Sequence, residues 1–150
     1  MNDYLRVARL YVVMLAIFTV GRLVMGARGI PYERGTHVFS LVTMTLLAST
    51  FYGAFCRKWR GYGVTQAMGV GLTLGLLAQV VILIATVLSY AFHADTYFVN
   101  PRALNNTEAV PFATAVVGRL GGLVVNAIMC AIAGAIGWVM GAALPDPGRA

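Results

Sequence analysis

Four long apolar segments separated by short polar ones make up most of the chain: Leu5 to Met25, Thr36 to Cys56, Val64 to Phe92 and Phe112 to Leu144. A helix rises 1.5 Å per residue and needs roughly 20 residues to cross about 30 Å of hydrocarbon. The pattern therefore predicts an all-α integral membrane protein, a four-helix bundle. The second segment carries no charge between Val38 and Cys56 and fits a span most simply. The first is less regular, because Arg9 and Arg22 lie only roughly 20 Å apart along a helix and both must snorkel outward. The third is uncharged from Gly61 to Phe92, longer than a perpendicular crossing requires, so it should tilt or project. The fourth is expected to stop at Pro145.

Composition agrees with this pattern. Hydrophobic residues are 59% of 150 and charged residues 11%, too few charges to solvate a water-facing surface. No Pro-, Ser- or charge-rich run is long enough to link two units, so residues 1–150 read as one transmembrane domain. The basic opening before the first apolar segment resembles a secretory signal, yet it lacks a clear small-residue cleavage site and Arg22 interrupts the end. It reads as a retained first helix.

The net charge of +6 sits at the ends of apolar segments and forms no face with interleaved aromatics, which argues against nucleic acid as a partner. Four spans place Arg6, Arg9, Arg57, Lys58, Arg60 and Arg149 on one side and Arg28, Arg34 and Arg102 on the other. The excess of basic residues on the first side places both termini in the cytoplasm. The expected setting is a bacterial cytoplasmic membrane, with a long outer loop between the third and fourth helices.

In that orientation polar side chains gather at the outer boundary: Arg22, Arg119, Glu33, Asp95 and Glu108, together with His37 opening the second span and His93 closing the third. Arginines at span ends snorkel to headgroups, pair with a carboxylate such as Asp95 or Glu108, or bind an anionic ligand. The two imidazoles are the candidate ligands for haem or a quinone headgroup. No metal site and no other cofactor is indicated.

Small residues recur every fourth position: Gly63, Ala67, Gly71, Gly75 and then Gln79 on the third segment, and Gly118, Gly122, Asn126, Cys130 and Gly134 on the fourth. A second stripe runs Ala133, Gly137, Gly141. Such stripes let helix backbones approach closely in lipid. Asn126 and Gln79 should face inward, because an amide facing lipid has no partner. With the hydroxyls of Thr43 and Thr50, they are the candidate lining of a substrate or ion path.

No carboxylate lies inside a span, and no nucleophile motif, zinc motif or phosphate loop is present. Cys56 and Cys130 read as buried thiols. The expected function is therefore a noncatalytic subunit or scaffold of a membrane assembly, packed against copies of itself or other membrane subunits. A small oligomeric transporter or channel is the first alternative, and a quinone- or haem-binding redox subunit the second.

Overall fold

A computed structural model describes residues 6–35 and 37–144. The expected helix starts at Leu5 and Thr36, the stop at Pro145, and Asp3, Asp146 and Arg149 lie outside the described residues. The described chain is all-helical, with long helices α1 (Arg9–Ala27), α2 (Leu41–Arg60), α3 (Val64–Ala91) and α4 (Phe112–Met140). One short helical turn follows α1 at Tyr32–Gly35, and 3-10 turns occupy Pro101–Leu104 and Gly141–Ala143.

Three helices are long and apolar enough to cross a membrane: α1, α3, and α4 with its 3-10 extension. The second segment, expected to be the simplest span, is not among them. Its helix begins at Leu41 and runs past Cys56 through Arg57, Lys58 and Arg60. Those cations, with four hydroxyl side chains between Thr43 and Thr50, lower its apolarity. The late start also has a local cause. Ser40 is extended, and its Oγ accepts the Thr43 N–H at 3.3 Å, a cap that sets the first turn after it. His37 consequently sits in the preceding turn and does not open the helix.

At the other end of α2, Gly61 takes a left-handed φ of 64°, and the N–H of Tyr62 reaches back to the Cys56 carbonyl at 3.1 Å. That closure satisfies a terminal carbonyl and turns the chain at once into α3. Gln66 then accepts the Gly63 N–H at 2.9 Å, capping the new helix. Pro111 precedes α4, where a missing N–H removes no helical bond.

Helices α2, α3 and α4 form the densest part of the molecule. A Cβ on Gly71 would collide with the Cys130 carbonyl, and one on Gly137 with the Thr50 carbonyl. Backbones can touch there only because glycine stands at both contacts. Thr45 and Ser49, fully buried on α2, bond back to the carbonyls of Leu41 and Thr45 at 2.6 and 2.8 Å.

Helix α1 is the peripheral element. Only Tyr11, Leu15 and Arg22 are buried on it, a single narrow face. The Tyr11 hydroxyl anchors that face, meeting Thr45 Oγ1 at 3.0 Å and donating to the Leu74 carbonyl at 3.1 Å. Farther along, Phe18 meets Phe39 edge to face at 5.4 Å.

Candidate functional site

The helix ends joined by residues 28–40 and 92–111 form one end of the molecule, here termed the loop end. Its connecting segments are folded down onto the helices. Tyr97 and Phe98 are buried, and the Tyr97 hydroxyl donates to the Ile30 carbonyl at 2.8 Å, joining the two connections. Ser89 and Thr96 share a hydroxyl contact of 2.8 Å, and the Tyr90 hydroxyl donates to the Val110 carbonyl at 2.5 Å. Arg102 and Glu33 pair at the exposed rim.

Arg119 lies seven residues into α4, roughly 10 Å beneath its first residue, Phe112. Its guanidinium is spent largely on the connecting segment. Nη2 donates to the Phe98 carbonyl at 2.8 Å, Nη1 to the Ala103 carbonyl at 3.3 Å, and Nε to Thr86 Oγ1 at 3.2 Å. The expected ion pair with Asp95 or Glu108 does not form. Both carboxylates are exposed, and backbone carbonyls brought inward by the buried Phe98 offer acceptors at the depth where the arginine lies.

Arg22 approaches from α1 and is only 8% exposed. Its Nη1 makes one long bond, 3.4 Å, to the Phe39 carbonyl, and Nε is buried with no partner. The rings of Tyr32, Tyr97 and Phe98 surround the guanidinium at 5.8, 5.6 and 5.6 Å. Each such contact is worth about 0.5–2 kcal/mol and weakens toward its limit of about 6 Å. Burying one ion costs several kcal/mol. The rings offset part of that cost and supply no opposite charge.

Arg22 and Arg119 line one cavity of about 130 Å³, together with Tyr32, Ser40 and Phe98. Among the described residues no carboxylate pairs with either arginine. Of the five residues expected in an outer polar cluster, the structure thus brings together the two cations and leaves Glu33, Asp95 and Glu108 at the exposed rim. The cavity lining offers N–H and O–H donors without a general base or an activated nucleophile, chemistry that suits binding.

Two apolar grooves flank α1. The larger, about 450 Å³, runs between α1 and α2 past Met14, Phe18, Leu47 and Phe51, and has His37, Ser40 and Thr43 among its lining residues. The smaller, about 310 Å³, lies between α1 and α3 and includes Leu23, Ile84 and Phe92. His37 borders the first groove, whereas Phe92 and Ala94, the neighbours of His93, border the second. No contact brings the two exposed histidines together, and His93 itself turns the chain after α3 with φ 51°.

Of the four residues expected along a path, Gln79 and Asn126 share the seam between α3 and α4, where Gly75 lies against the Asn126 backbone and Gly122 faces Gln79, while Thr43 and Thr50 lie elsewhere on α2. Thr43 borders the larger groove. Thr50 bonds to the Leu46 carbonyl at 3.1 Å, with its own backbone against Gly137. Gln79 and Asn126 are buried, 7% and 6% exposed, on α3 and α4. The Asn126 Oδ1 receives a long contact from Cys130 Sγ at 3.9 Å, while its Nδ2 is unpartnered. None of these two amides or Thr50 borders the three cavities described above.

Tyr32, Tyr97 and Phe98 escaped the sequence reading as site residues. Aromatics in a polar connecting segment gave the only signal, and nothing local indicates that they surround Arg22. No protein family, curated protein or solved structure matches this chain.

Proposed function

We propose that this chain is a noncatalytic, multi-pass protein of a bacterial cytoplasmic membrane, acting as a subunit or scaffold of a larger assembly. In this reading α2 is a fourth span. Its 20 residues give a length of about 30 Å, matching the hydrocarbon, and its three cations fall in the last turn at the headgroups. Both termini then lie in the cytoplasm and the loop end outside.

The observation that supports the subunit role is the α1–α2 groove. It is apolar and wide, and Leu47 and Phe51 remain 67% and 60% exposed beside it. Apolar exposure alone means little in lipid, where tails solvate leucine well. A concave apolar surface differs, since a rigid partner helix fills it with more contacts than a flexible tail makes. The small-residue stripes give less support, because most of their members are consumed between α2, α3 and α4.

Native mass spectrometry after mild extraction tests the reading. Additional protein chains, copies or different subunits, are expected on the wild type, and Ala48→Trp, which fills the groove, should remove them. A bare single chain in the wild type would overturn it. His37 beside the same groove favours a second reading, a quinone whose tail occupies the groove with its headgroup at the imidazole. A quinone mass lost in His37→Ala would select that reading.

A further inference from the structure

We propose that Arg22 and Arg119 bind a phosphate group in the cavity they share beneath the loop-end connections. Two cations facing one small cavity repel each other, and buried charges are ordinarily paired. Among the described residues, the chain provides no counter-charge. Glu33 pairs with Arg102 at the rim, and Asp95 and Glu108 are exposed.

The donors point to an oxyanion. Each guanidinium carries five N–H groups. Arg22 uses one of them, in a 3.4 Å bond, and its Nε is buried without a partner. Arg119 makes three bonds, through Nε, Nη1 and Nη2, which leaves a second hydrogen on each terminal nitrogen. The nearly unspent guanidinium of Arg22 and the two remaining N–H groups of Arg119, brought from two helices, suit a tetrahedral anion with several acceptor oxygens. A cavity of about 130 Å³ exceeds the space one water requires by severalfold.

The phosphate has two possible sources. A free ion would enter from the aqueous side of the loop end. An anionic phospholipid would present its headgroup from the bilayer, and Ser40, which borders both the cavity and the α1–α2 groove, joins the polar site to a place for an acyl chain. The depth is compatible. Helices α3 and α4, at 28 and 29 residues, exceed the hydrocarbon thickness by about 12 Å, so a position roughly 10 Å beneath a helix end lies near the headgroups.

The test uses the full chain, in dodecyl maltoside for inorganic phosphate and in nanodiscs of phosphatidylcholine with or without phosphatidylglycerol for lipid. The readouts are the unfolding midpoint and, for lipid, the amount retained in native mass spectra. The wild type should be stabilised by inorganic phosphate, by phosphatidylglycerol, or by both, and the responding arm identifies the source. Arg22→Gln and the double variant with Arg119→Gln should weaken that response by about tenfold or more, as expected for losing a charge-assisted contact. No response of the wild type in either arm, or an equal response in the double variant, overturns the proposal.

Discussion

The two ends of the molecule solve helix association differently. At the end opposite the loops, α2, α3 and α4 meet backbone to backbone through Gly53, Gly71, Gly134 and Gly137. Arg57 closes that end by stacking 3.9 Å from the Trp138 ring and donating to the Trp138 carbonyl at 3.0 Å, while Trp138 Nε1 donates to the Tyr62 carbonyl at 2.7 Å. At the loop end, Gly118 and Gly121 of α4 meet nothing within 4 Å, and a cavity with two arginines occupies the interior. At the closed end three helices interlock backbone to backbone, whereas at the loop end close backbone approach is confined, among the described residues, to Gly26 against Thr96 and Tyr97, and a polar cavity lies between the helices. The first arrangement needs no ligand, whereas the second leaves donors and charge in excess.

The largest contrast should come from glycine. Gly137→Leu forces a side chain into the Thr50 backbone and is expected to cost about 3 kcal/mol or more, or to prevent folding, as read by unfolding in detergent. Next in size is Arg57→Ala, which removes a stack and a charged hydrogen bond at the closed end. A loss of about 2 kcal/mol is expected by the same assay. Were this variant as stable as the wild type, the closed end would owe its strength to glycine contacts alone.

Tyr11→Phe is expected to cost about 1 kcal/mol. Thr45 keeps its own bond to Leu41, so the loss is confined to the attachment of α1. Hydrogen exchange should rise in α1 and remain unchanged in α3, and uniform acceleration would contradict a peripheral α1. Smallest of all is Gly118→Ala, which enters open space at the loop end and should change stability by no more than about 0.5 kcal/mol in either direction. A cost as large as that of Gly137→Leu would erase the distinction between the two ends.

The glycine patterns illustrate why sequence alone mislocates such contacts. Gly118, Gly122, Asn126, Cys130 and Gly134 repeat every four residues and read as one surface. A helix has 3.6 residues per turn, so each step drifts by about 40° and the stripe winds around the axis. Asn126, Cys130 and Gly134 are buried, but Gly118 has rotated out of the contact. The parallel series on α3 stays buried from Ala67 through Gly71 and Gly75 to Gln79, and its first member, Gly63, is exposed because it caps the helix from outside.

Hydrophobic periodicity by itself determined the all-helical class, the length of α3, the start of α4 near Phe112 and the inward placement of Gln79 and Asn126. Those features follow from local apolar runs and from the exclusion of unpaired amides from lipid. Tertiary structure decided the rest. The aromatics around Arg22 and the carbonyls around Arg119 come from segments distant in sequence, and only the folding of residues 92–111 onto the helices brings them there. The sequence placed three carboxylates near two arginines by level along the membrane normal. Level carries no information about azimuth or depth, so only the folded chain separates exposed Glu33, Asp95 and Glu108 from a cavity that holds both cations.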